Sequence, residues 1–180
     1  MRRCVFFDRD GIVNRSPGTG YVEQWADFHL LPGFVAALRT ALRHGFDGII
    51  VTNQSGIARG IMTRGTVEEI HANLRALLRD KHGIDVLDVF FCPHDTGDCD
   101  CRKPKPGMFL TAALRYDIDL AASWMVGDME RDIEAGHAAG CRTILVAQEN
   151  MPSQAEYRVP DMQALPPLLE RLLHGGGRRE

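Results

Sequence analysis

The sequence predicts an α/β fold, a Rossmann-like three-layer sandwich on a mainly parallel sheet. Short runs rich in Val, Ile and Phe alternate with longer stretches of helical period. The short runs are apolar almost throughout, as parallel strands buried on both faces are. The chain has 180 residues, 44% hydrophobic and 25% charged, enough for one domain with its own core.

Arg3–Asp8 (RCVFFD) reads as the first strand. Gly33–His44 follows as a helix with Phe34, Leu38 and Leu42 at helical spacing, stopped by Gly45. Phe46–Thr52 is the second strand. Thr63–His82 is a long helix with Ile70, Leu74, Leu77 and Leu78 on one stripe and Gly83 after it. Val86–Cys92 is the third strand, followed by a polar Cys/Asp/Lys/Pro loop. Pro106–Tyr116 is a helix that starts with Pro. Trp124–Gly127 is the fourth strand, Met129–Ala139 a helix closed by Gly140, and Cys141–Val146 the fifth strand. Leu165–Leu173 is the last, amphipathic helix. The expected domain is 1–174, with 175–180 (GGGRRE) a flexible tail.

Composition excludes several classes. Whole-chain disorder does not fit this apolar content. The formal charge is −3, from 21 Lys and Arg against 24 Asp and Glu. A protein that coats nucleic acid or anionic lipid is usually basic. No apolar run approaches the roughly 20 residues of a membrane span. The apolar stretch before Asp8 is too short for the core of a signal peptide, so a cytoplasmic location is expected. A monomer is expected too.

In parallel α/β sheets, ligands bind beyond the carboxyl ends of the strands. The first strand runs into Asp8-Arg9-Asp10-Gly11, the second ends at Thr52, and the fourth at Gly127-Asp128. Lys103 lies in the loop after the third strand. Buried carboxylates repel one another, and a divalent cation relieves this. Mg²⁺ suits a few carboxylates plus water and phosphate. A lysine and a hydroxyl beside it suit a phosphoryl group. Asp132 reads equally as a helix cap and as a site residue.

The stretch from Cys92 to Cys101 carries Cys92, His94, Cys99 and Cys101. That donor set fits a closed tetrahedral zinc site of structural type. A Cys99–Cys101 disulfide would close a small strained ring. The expected task of the zinc is to fix the loop that presents Arg102 and Lys103. Cys4 and Cys141 sit within apolar strands and read as core. Trp25 and Trp124 read as packing residues. The remaining histidines, His71 among them, read as surface or helix-end residues.

FFDRDG at 6–11, VTNQSG at 51–56, RKP at 102–104 and VGDMERD at 126–132 appear in order. On these motifs the chain resembles the haloacid-dehalogenase superfamily of phosphohydrolases. DRDGIVN, TNQSGIARG and CPH…CDCRKPKPGM narrow the resemblance to its heptose-bisphosphate phosphatases, neighbours of the histidinol-phosphate phosphatases. The resemblance implies a Mg²⁺-dependent phosphomonoesterase that removes the 7-phosphate of a heptose 1,7-bisphosphate. It implies Asp8 as nucleophile, Asp10 as general acid and base, and Asp8, the Asp10 main chain and Asp128 around Mg²⁺. Thr52, Asn53 and Lys103 would hold the phosphoryl group, with Gln54 and Ser55 in the same substrate-binding motif. Arg59, Arg102, Gly20 and Tyr21 would meet the small phosphorylated sugar. Many members carry Lys where this chain has Met129.

The intervals Asn14–Thr52 and Thr52–Lys103 leave no room for a large cap domain. Histidinol phosphate is the near alternative substrate: GIARG and Asn14 favour the heptose, and the short His94–Cys99 loop favours histidinol. A DNA 3′-phosphatase would want a basic groove, which the charge argues against. A non-catalytic zinc-bearing interaction module would not need the full catalytic set.

Overall fold

The computed structural model describes residues 1–97, 99–148 and 152–174. The expected tail at 175–180 lies outside them. Strands β1 (Cys4–Phe7), β2 (Asp47–Asn53), β3 (Asp88–Cys92), β4 (Trp124–Gly127), β5 (Arg142–Val146) and β6 (Tyr157–Val159) form one sheet. All neighbours are parallel, in the order β3-β2-β1-β4-β5-β6. Helices α1 (Pro32–Arg43), α2 (Arg64–His82), α3 (Gly107–Tyr116), α4 (Glu130–Ala139) and α5 (Leu165–His174) complete the three layers.

The continuous apolar strands divide their side chains between two cores. Val5, Phe7 and Ile50 face α1, α2 and α5, while Cys4, Phe6 and Ile49 face α3 and α4. The period of two in a strand produces this division. Phe7 meets Phe34 edge-on at 5.2 Å, and Phe6 meets Phe109 at 4.9 Å on the opposite face. Cys4 and Cys141 are buried and free, and Trp124 is buried, as expected of core residues.

Element ends follow local chemistry. The Thr63 hydroxyl accepts from Thr66 N at 3.1 Å to cap α2. Gly83, at φ 64°, closes that helix in the left-handed conformation. Three features depart from the sequence reading. β6 and a short 3₁₀ turn at Trp25–Asp27 were not expected. The buried stripe of α2 is Val67, Ile70, His71, Leu74 and Leu78, with Leu77 only half-buried. His71 is therefore a core residue rather than a surface one, because position 71 falls on the helix face that meets the sheet.

The chain order changes direction between β1 and β4, the neighbours at the centre of the sheet. That switch point is where a crevice opens above the strand ends. Between β1 and α3 the described residues carry no inserted cap domain.

Candidate active site

Asp8 leaves β1 level with the end of β4, its amide donating to Val126 O at 2.9 Å. Asp128 follows β4 directly. Gly11 then turns the chain at φ 96°, and a Cβ there would strike the Asp128 carboxylate. The two acidic strand ends can approach only because residue 11 lacks a side chain.

Lys103 comes from the loop after β3 and is 2% exposed. Its ammonium lies 2.7 Å from Asp8 Oδ1 and 2.7 Å from Asp132 Oδ1, and donates to Val51 O at 2.9 Å. Desolvation opposes this buried charge, but Asp132 and Asp8 outweigh it and raise the Lys103 pKa. Asn53 fixes the segment: its Nδ2 donates to Lys103 O and its Oδ1 accepts from Lys103 N, both at 3.0 Å.

Asp8, Asp128 and Asp132 each place an oxygen within 4.8 Å of the others. Against their three carboxylates stands one ammonium, which leaves a formal charge of −2 in a largely buried site. Burial, then the neighbouring carboxylates, push Asp8 up to about 7 against the pull of Lys103. Burial and Asp132 push Asp128 up to about 6. The buried Asp128 Oδ1 has no hydrogen-bond partner. Carboxylate oxygens, an unused acceptor and a deficit of two positive charges together fit a hard divalent cation.

Asp10 sits beside this cluster in its own cradle. Arg9 Nη2 donates to both carboxylate oxygens at 3.1 Å, and Arg9 Nε donates to Oδ1 at 3.2 Å. Asn14 Nδ2 donates to Oδ1 at 3.0 Å and Gln54 Nε2 to Oδ2 at 3.1 Å. Gln54 Nε2 also donates to Thr52 Oγ1 at 2.9 Å, which leaves the Thr52 hydroxyl proton free to donate. Gln54 is fully buried, so its action passes through Asp10 and Thr52.

The other expected substrate residues form the rim. Ser55 Oγ and Tyr21 OH are 3.1 Å apart, and the Tyr21 ring packs where a Cβ on Gly56 would sit. Gly20 is exposed. Arg59 grips Asp95 through Nε at 2.9 Å and Nη2 at 3.1 Å. Arg102 Nη1 donates to His94 O at 3.2 Å. Both rim arginines are thus tied to the cysteine loop. Met129 stands 40% exposed at the start of α4.

In that loop the four expected ligands do converge. Cys92 Sγ lies 3.6 Å from His94 Nδ1 and 3.5 Å from Cys99 Sγ. Cys101 Sγ lies 3.4 Å from His94 Nδ1 and 3.3 Å from Cys99 Sγ. A disulfide would need about 2.05 Å. The edges of a ZnS₃N tetrahedron are about 3.5–3.8 Å, so the donors are spaced for a metal of that size.

The sequence reading missed Arg9 as a site residue and left Asp132 undecided. Asp132 does both tasks: Oδ2 caps Met129 N at 3.1 Å while Oδ1 faces Lys103.

Comparisons with known proteins agree with this geometry. Residues 100–167 match the HAD-hydrolase-like family model. The D-glycero-beta-D-manno-heptose-1,7-bisphosphate 7-phosphatase of Pseudomonas putida is 38% identical over 160 residues, 88% of this chain and 90% of that protein. Its Escherichia coli K12 counterpart is 38% identical over 161 residues, 85% of this chain and 83% of that protein. The structure of D,D-heptose 1,7-bisphosphate phosphatase from B. bronchiseptica, complexed with magnesium and phosphate, superposes with a TM-score of 0.82. It is 35% identical, over 96% of this chain and 98% of that one. The chain belongs to the D-glycero-beta-D-manno-heptose-1,7-bisphosphate 7-phosphatase family of haloacid-dehalogenase-like hydrolases.

Proposed function

We propose that this protein is a phosphomonoesterase that removes the 7-phosphate of D-glycero-beta-D-manno-heptose 1,7-bisphosphate. The observation that carries the reaction is the Asp8–Lys103–Asp128 cluster at the switch point of the sheet. The substrate follows from the family, whose named members act on that sugar.

Asp8 is the nucleophile. A carboxylate oxygen attacks phosphorus in line, and the bond from phosphorus to the sugar oxygen breaks. Asp10 gives its proton to that leaving oxygen. It then takes a proton from the water that displaces Asp8 from the aspartyl-phosphate and frees inorganic phosphate. Lys103, the Thr52 hydroxyl and Asn53 hold phosphoryl oxygens. Arg9, Asn14 and Gln54 fix the Asp10 carboxylate where one group can serve both steps. Mg²⁺, held by Asp8, Asp128 and the Asp10 main chain, would neutralise the two excess negative charges and draw the phosphate in.

Cys92, His94, Cys99 and Cys101 would hold Zn²⁺ as a structural ion, since four protein donors fill its tetrahedron. Such an ion would steady the His94 carbonyl and the Asp95 carboxylate, which anchor Arg102 and Arg59 at the rim. An uncapped site suits a phosphate on the end of a small sugar. The acidic balance of the chain favours that substrate over nucleic acid. No helix among the described residues is long and apolar enough to cross a membrane, consistent with action on a soluble sugar phosphate.

The test is Mg²⁺-dependent phosphate release from heptose 1,7-bisphosphate and from histidinol phosphate, with Asp8→Asn as the blank. The expected preference in kcat/KM for the heptose is about a hundredfold or more, equal to about 2.7 kcal/mol of transition-state binding. A preference for histidinol phosphate would overturn the substrate, and equal release by Asp8→Asn would overturn the mechanism.

A further inference from the structure

At the opposite edge of the sheet lies a side-chain cluster that the phosphatase chemistry does not use. Helix α1 leads into β2 and helix α5 follows β6, so both run back against the strands and finish at the amino-terminal edge. The two helices pack on the same core. His44 caps the end of α1, and Glu170 and His174 lie one turn apart at the end of α5. Residues four apart share one helix face.

His44 Nε2 lies 3.0 Å from Glu170 Oε1. The His44 and His174 rings stand edge to face, with centroids 5.7 Å apart. One nitrogen of each ring and one Glu170 oxygen all lie within 4.8 Å of one another. The corresponding edges around a zinc-sized ion are about 3.3–3.5 Å, within reach of small rotations of exposed side chains. The group is only partly covered: His44 is half-buried and the other two are exposed.

We propose that His44, Glu170 and His174 form a second transition-metal site, which takes Zn²⁺ or a similar ion and clips the end of α5 to the end of α1. Two imidazoles and one carboxylate are the donors such ions prefer over Mg²⁺ or Ca²⁺. Arg43 Nη2 donates to Glu170 Oε2 at 3.0 Å. That bond holds the carboxylate ionised and leaves Oε1, the oxygen facing His44, for the ion. Arg3 Nη2 donates to His44 O at 3.3 Å, and Arg171 is next to Glu170 in the chain. Opposing these cations, the negative ends of two helix dipoles converge on the cluster. Binding requires the neutral His44 ring to carry its proton on Nδ1, so that the Nε2 lone pair reaches the metal. The fourth position belongs to water.

The experiment uses protein carrying one Zn²⁺ per chain in the cysteine loop, confirmed by elemental analysis, with Mg²⁺ saturating the active site. Further Zn²⁺ is titrated calorimetrically near neutral pH into wild type, His44→Ala and His174→Ala. The expected result is one additional ion in wild type, bound about tenfold or more weakly when either histidine is removed. The added ion raises the melting temperature of wild type and not of the histidine variants. Phosphatase activity without added Zn²⁺ is unchanged in those variants. In wild type itself the ion protects His44 and His174 from carbethoxylation, a readout that does not depend on a variant folding. No additional ion, an isotherm unchanged by His174→Ala, or two histidines that modify equally fast with and without Zn²⁺ would each overturn the proposal.

Discussion

The Arg9 guanidinium and the His71 ring meet at 3.2 Å, Arg9 Nη1 to His71 Nε2, in the floor beneath Asp10. Arginine can only donate, so Nε2 is the acceptor and the ring proton sits on Nδ1. Burial, then the charge of Arg9, lowers the His71 pKa to about 3 from its ordinary 6.5. The folded protein therefore binds this proton more weakly than the unfolded chain does. The stability His71 contributes is complete above about pH 6.5 and falls as the pH drops towards 3, by up to about 1.4 kcal/mol per pH unit. Urea unfolding at pH 7 and pH 5 should show wild type losing up to about 2 kcal/mol more than His71→Gln. Equal losses would mean that another group sets the acid limit.

Arg9 spends its donors on His71 and on both oxygens of Asp10. Lys at this position keeps the charge and loses the planar fork. Asp10 is then held by Asn14 and Gln54 alone. Arg9→Lys should lower kcat about tenfold to a hundredfold and leave KM within about threefold, because the loss is in orientation at the proton-transfer step. A change confined to KM would show that Arg9 acts on substrate binding instead.

Much of this was legible in the sequence because burial leaves a pattern. Four-residue strands such as Cys4–Phe7 are apolar at every position, and acids directly after them can only lie on one rim. The count and mix of Cys92, His94, Cys99 and Cys101 also marked a donor set, and the four side chains converge. β6 was not legible, since Tyr157-Arg158-Val159 is short and has an arginine at its centre. Arg9 was hidden for a related reason. An arginine between two aspartates reads as solvated, and only the turn at Gly11 together with α2 buries it. His71 did carry a signal, three residues before Leu74 and four after Val67 on the buried stripe. Residue type outweighed periodicity in that reading.

Gly11 is a sharper test of the metal cluster than any of the acids. Alanine there is strained at φ 96°, and its methyl collides with the Asp128 carboxylate. Gly11→Ala should weaken Mg²⁺ binding about tenfold and cut kcat about a hundredfold, with all acids still present. Activity titrations against Mg²⁺ would read both effects. Wild-type behaviour would mean that Asp128 does not need its present position.

The cysteine loop holds two arginines by their partners rather than directly: Asp95 for Arg59 and His94 O for Arg102. Cys99→Ser should lower the zinc content measured by elemental analysis. It should also raise KM about tenfold with kcat changed less than about threefold, since Lys103, though in the same loop, is held by Asn53, Asp8 and Asp132 rather than by the thiols. A matching fall in kcat would place the loop in the chemistry itself.

Asp132 shares Lys103 with Asp8, at 2.7 Å on either side of one ammonium. That division keeps Lys103 from neutralising Asp8 alone, so the carboxylate proposed as nucleophile and the ammonium proposed to bind phosphate coexist in one largely buried site. Asp132→Asn preserves the cap on Met129 N through the amide oxygen and removes the charge. Lys103 then turns wholly to Asp8, and the cluster holds one negative charge fewer for a divalent cation. The expected outcome is a fall of about tenfold to a hundredfold in kcat and weaker Mg²⁺ dependence. Stability should drop by only about 1 kcal/mol, because Lys103 keeps a carboxylate partner. Asp132→Ala should lose about 1 kcal/mol more through the missing cap. If asparagine and alanine lowered stability alike and neither lowered kcat, Asp132 would be a helix cap and nothing else.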